Sequence, residues 1–149
     1  MRTGTSFARD WQLLKIARSL RGHDVTGPLV RRLLADASSD TVDRVAAIAE
    51  KLGEEDGASL LARNEARFDP PTLMEGLLLM WGIPCDTREA ADGSMVITVG
   101  GDGTALQETF ADARVAAPYL AGYARALQQD AVLAGDAGRI TFRFPPRGR

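Results

Sequence analysis

The chain holds one cysteine, Cys85, and one histidine, His23. A single thiol excludes an intrachain disulfide framework and any cysteine-rich zinc or iron–sulfur site. An excess of either charge is also missing, since 18 Lys and Arg against 20 Asp and Glu leave a net charge of −2. That balance gives no electrostatic ground for nucleic acid, which calls for clustered Lys and Arg. The four arginines of "RITFRFPPRGR" are spread over a strand and an end, and read as a solvated face. No apolar run approaches the roughly eighteen residues of a membrane span, and "MRTGTSFARDWQ" lacks the continuous apolar core of a signal peptide. A reducing cytoplasm is the expected compartment.

What is present is the composition of an ordinary globular domain, 149 residues with 45% apolar and 26% charged. Helical spacing dominates the first part, residues 1–68. Phe7, Trp11, Leu14 and Ala17 recur at three- and four-residue steps over 6–21. A helix follows from Thr26, and another from Ser39 or Asp40 as cap to Gly53 as stop, with a further amphipathic stretch from Glu54 to about Phe68. The second part, residues 69–144, opens on "DPPTLMEGLLLMWG", where Asp69 caps, prolines fill the first turn, and nearly every position from Leu73 to Trp81 is apolar. Such a segment is buried on most sides, and Gly76 would let another backbone approach.

Two β stretches, "IPCDTRE" and "SMVITVG", flank the Asp-Gly turn signal of "AADG" and predict an antiparallel hairpin. A helix from Thr104 to about Ala113 and a second opened by Pro118 come next. "DAVLAG" and "RITFRF" then form a second hairpin, in which Ile140, Phe142 and Phe144 alternate with Arg139, Thr141 and Arg143. Residues 145–149 are a tail. The expectation is a single α+β domain, its helices covering one face of a small, mainly antiparallel sheet of two hairpins.

"VITVGGDGT" is the sharpest motif. Its GGDGT resembles the nucleotide-site motif of the NAD kinase and diacylglycerol kinase families, which implies backbone N–H groups of Gly100, Gly101, Gly103 and Thr104 around a phosphate and a catalytic Asp102. Only those five residues match, and the strand before them leaves a tight hairpin rather than a parallel α/β arrangement. A strand-to-helix turn capped by Asp102 or Thr104 accounts for the same residues. Elsewhere His23 has no nucleophile placed beside it, Cys85 has no base nearer than Arg88, and Glu108 and Asp112, spaced i,i+4, have no histidine to complete a metal set. Glu75 stands alone within "TLMEGLLLMW", either on a wet stripe or as the polar anchor of an apolar pocket.

The order of apolar helix, hairpin, "PYLAGYARAL" and "GDAGRITFRF" resembles the vinyl-reductase-like domains, relatives in fold of the TRAPP trafficking subunits and of the haem-dependent nitric-oxide sensor domain. The resemblance implies a helix-covered sheet, a dimer formed through helices, and an apolar cavity for a hydrophobic small molecule. Members with metal carry cysteines around that helix and the last hairpin; this chain has none there, so no metal site is carried over and no cofactor is assigned. The expected function is a non-catalytic homodimeric domain that binds or senses an apolar ligand through Met74, Leu77, Leu78, Trp81, Tyr119 and Tyr123, with Glu75 as polar contact. An enzyme using the GGDGT loop and a structural assembly subunit are the alternatives.

Overall fold

The computed structural model describes residues 26–65, 68–99, 106, 109–136 and 139–146. Four helices and four strands lie among them: α1 (Thr26–Ala35), α2 (Ser39–Arg63), α3 (Pro70–Met80), β1 (Cys85–Glu89), β2 (Met95–Val99), α4 (Ala113–Leu127), β3 (Val132–Asp136) and β4 (Arg139–Phe144). The strands form one antiparallel sheet in the order β1-β2-β4-β3. The α+β architecture is therefore present, with both hairpins where turn chemistry and alternation put them. The expected helix over 6–21 and His23 lie outside the described residues, as do Thr104, Ala105, Gln107 and Glu108 of the helix expected from Thr104.

Register explains the two faces of the sheet. Thr87, Ile97, Phe142 and Leu133 stand in one cross-strand row, and Ile97 and Phe142 are fully buried beneath the helices. The neighbouring row of Arg88, Val96, Arg143 and Val132 faces away from them. Val96 is nevertheless buried, because two arginine stems flank it and cover apolar surface while their charges stay wet. Arg143 reaches from there to Asp92 in the β1–β2 turn and donates to Ser94 Oγ at 3.3 Å. The Arg143 hydrogen bond first, and then those from Ser94, whose N–H donates to Asp92 Oδ1 at 3.1 Å, hold the Asp92 carboxyl down at about 2.

Three helix boundaries differ from the sequence expectation. Gly53 does not end a helix; α2 runs through it for 25 residues. Gly53 and Gly57 instead sit against α4, Gly53 beside Tyr119 and Tyr123, Gly57 beside Tyr123 and Ala126, so the two helices run in the same direction at backbone contact. Neither Ser39 nor Asp40 caps α2, because Ser38 does so, accepting from Thr41 N at 3.3 Å. Pro118 does not open α4 but lies inside it. The helix starts five residues earlier, at Ala113, and is capped by Asp112, which accepts from Arg114 N at 2.8 Å and pairs with the Arg114 guanidinium at 2.7 Å. The hydrogen bonds from Arg114 hold the Asp112 carboxyl below its ordinary range, against the opposing effect of burial.

Two arginines tie α1 to this corner. Arg31 Nε donates to the Ala111 carbonyl at 3.1 Å, and an Arg114 guanidinium nitrogen to that of Leu34 at 3.0 Å. The main core fills the space between the sheet and helices α3 and α4, with Met74, Leu78, Ile97, Leu120 and Phe142 wholly enclosed.

Candidate functional site

The seven residues singled out from the sequence divide among four places. Met74 and Leu78, both 0% exposed, belong to the main core. Trp81, Tyr119 and Tyr123 gather with Phe110 in an aromatic cluster, with ring centroids 5.4 Å apart for Trp81–Phe110 and 6.0 Å for Trp81–Tyr119. Tyr119 and Tyr123 follow at 6.2 Å. Glu75 is half-buried near Cys85, whose thiol is pushed up by burial first and by the Glu75 and Asp86 carboxylates next. A thiol raised in this way is a poor nucleophile at neutral pH. Leu77 alone of the seven lines an open apolar groove.

The aromatic cluster carries one polar bond. Tyr119 Oη donates to Asp56 Oδ2 at 2.7 Å, tying α4 to α2. Burial, that bond and the Asp56 charge raise the Tyr119 hydroxyl far above its ordinary value; burial and Asp56 push Tyr123 up to about 12. These are the only two tyrosines of the chain. Above pH ~10, where a free tyrosine ionises, the unfolded chain gains from ionisation while the folded chain keeps both protons. The stability contribution is complete below that pH and declines as pH rises toward the folded values. An alkaline titration followed by absorbance should therefore show no tyrosinate until helical circular dichroism is lost. Two ordinary titrations in a chain still folded would contradict this arrangement.

The groove lies between the end of α2 and α3. Leu60, Phe68, Thr72, Leu73, Gly76, Leu77 and Met80 line about 420 Å³, and among these described residues Thr72 is the one side chain with a hydroxyl or amide hydrogen-bonding group. Asn64 shapes one end: it donates to the Phe68 carbonyl at 2.7 Å and accepts from Phe68 N at 3.1 Å, presenting the phenyl ring to the groove. Asp69 caps α3 there, accepting from Thr72 N at 2.9 Å. Gly76 does not serve a close backbone approach, since a Cβ built on it meets nothing within 4 Å. It leaves floor space instead. Leu73, Gly76, Leu77 and Met80 fall at i, i+3, i+4, i+7, so this second apolar face was present in the spacing. It was hidden there because the opposite face, with Met74 and Leu78, is equally apolar.

Asp102, Gly100, Gly101, Gly103 and Thr104 lie outside the described residues, as does Glu108. Asp112 serves as the α4 cap rather than as the partner of Glu108 on a helix face. Among the described residues no group of three His, Cys, Asp or Glu could hold a metal, and no helix is long and apolar enough to cross a membrane. Comparison of the chain with family models, with curated proteins and with solved structures finds no match.

Proposed function

We propose that the chain is a non-catalytic domain that takes a small apolar ligand in the α2–α3 groove and works as a homodimer, in the manner of a sensing or accessory module of the cytoplasm. One observation carries the reading: an open groove of about 420 Å³, apolar along its described lining but for Thr72, beside a main core whose side chains are enclosed. Sites for small molecules combine apolar walls with very few polar groups, and Thr72 is the polar group among the described lining residues. The likeness to vinyl-reductase-like domains points the same way, with one adjustment: the ligand is assigned to the helical surface rather than to the space above the sheet. Leu29 and Leu33 on α1, and Ile48 and Leu52 on α2, are exposed i,i+4 pairs suited to a helical dimer joint.

Gly76→Leu tests the ligand site without harming the fold. Leucine there meets open space, and replacing an exposed mid-helix glycine stabilises α3 by about 0.5–1 kcal/mol. The new side chain fills the groove floor. Binding of an apolar fluorescent probe should weaken by about tenfold or more, the effect of losing one good apolar contact, while the melting temperature holds or rises. Native mass spectrometry of the purified protein reports copy number and any ligand retained. Equal probe binding by both chains would defeat the reading.

A further inference from the structure

The groove ends on a sulfur. Thr72, Gly76 and Met80 follow one another along α3 at four-residue steps, so the Thr72 hydroxyl and the Met80 thioether stand at opposite ends of that wall, about 12 Å apart along the helix axis. Met80 is 77% exposed, the barest large apolar side chain among the described residues. The other two described methionines are shielded: Met74 is 0% exposed in the main core, and Met95 is half-buried against it. What methionine adds over leucine at the groove end is a sulfur lone pair open to solvent.

We propose that Met80 is an oxidation site, and that its sulfoxide closes the groove to apolar ligands until a reductase removes it. The inference rests on the reading of the groove as a ligand site. Hydrogen peroxide is the oxidant. A lone pair of the Met80 sulfur attacks one peroxide oxygen, the S–O bond forms as the O–O bond breaks, and the departing hydroxide takes the proton left on the transferred oxygen and leaves as water. Sulfur gives up two electrons and peroxide receives them. A dithiol reductase reverses the step, releasing the oxygen as water while its two thiols join as a disulfide.

Access decides which sulfur reacts. Cys85, the chain's one thiol, competes poorly, since burial and the Glu75 and Asp86 carboxylates leave little thiolate at neutral pH. Once oxidised, Met80 presents a polar S=O group where the groove had an apolar sulfur. The one hydroxyl among the described lining residues, on Thr72, lies at the far end. A ligand that covers the sulfoxide therefore strips its water with no donor of the described lining to replace it. Apolar ligands should bind about five- to tenfold more weakly, the low end of the cost of an unpaired polar group because the groove is open. The fold itself loses little, since a side chain so exposed packs against little.

Brief treatment of the intact chain with hydrogen peroxide, followed by peptide mass spectrometry, should find Met80 converted several-fold faster than Met74 and Met95. Titration with an apolar fluorescent probe after the peroxide is removed should show the weakened binding with the melting temperature unmoved, and methionine sulfoxide reductase should restore the starting affinity. The Met80→Leu chain, whatever its own starting affinity, should bind the probe equally before and after treatment. Conversion of Met74 or Met95 as fast as Met80, an oxidised chain that binds as tightly as the untreated one, or a Met80→Leu chain that peroxide weakens to the same degree would each overturn the proposal. If the untreated chain binds no probe, the ligand reading falls and takes the switch with it; if it binds and peroxide changes nothing, the switch falls alone.

Discussion

Gly53→Ala should lower the free energy of unfolding by about 3 kcal/mol or more, at the upper end of overpacking costs. The added methyl would fall inside the Tyr119 carbonyl oxygen, 2.8 Å from that carbonyl's carbon and 3.0 Å from Tyr123 N. None of these is a side-chain end that can rotate away; all are backbone of α4. Gly122→Ala meets the mirror situation, with the Glu50 carbonyl carbon at 2.9 Å and Glu54 N at 3.1 Å. Helices α2 and α4 must then separate, losing the Tyr119–Asp56 bond and the pairing of Arg125 with Glu50 and Glu54. Because one separation relieves both clashes, the double variant should cost clearly less than the sum of the two. Denaturant unfolding measures this, and additive or negligible losses would mean that the helices are not in backbone contact. Gly76 supplies the opposite sign within the same protein, since nothing crowds it.

Leu78→Ala should cost about 2–5 kcal/mol, the range for truncating an enclosed leucine whose surroundings cannot collapse. The size of the loss separates two views of the apolar helix. A side chain that merely borders an empty ligand chamber gives up few contacts when shortened, whereas Leu78 is 0% exposed within a cluster that includes Ile83, Ile97 and Phe142. A loss under about 1 kcal/mol, the scale of an ordinary surface change, would return the binding site to the interior and count against the groove. The same substitution at Val132, exposed on β3, serves as the comparison.

Much of the fold could be read along the chain because its signals are local. The Asp92-Gly93 turn, with Gly93 at φ 78°, and the alternation of Ile140, Phe142 and Phe144 each act over a few residues. Gly53 misled because its reason is not local: the sequence shows a residue that often stops helices, while its purpose is the closeness of α4, more than sixty positions away. Pro118 misled in a related way, as a proline favours a first turn but the Asp112–Arg114 arrangement had already begun the helix. The candidate site was harder still. Periodicity over 70–81 says only that both faces are apolar; which one meets the sheet depends on partners the sequence does not bring together. Glu75, the residue that stood out by polarity, lies close enough to Cys85 to raise its thiol and is not among the residues of the groove lining.

The sheet order carries a consequence for how the molecule assembles. Each hairpin closes over a short turn, but β2 meets β4 only after the chain has travelled through α4, from Met95 to Phe144. Local pairs can zip within microseconds, whereas a junction between distant segments waits for the loop between them to be drawn in. The β2–β4 seam is thus the late step, and α4, held against α2 by its glycines, is the brace that brings its two halves into range.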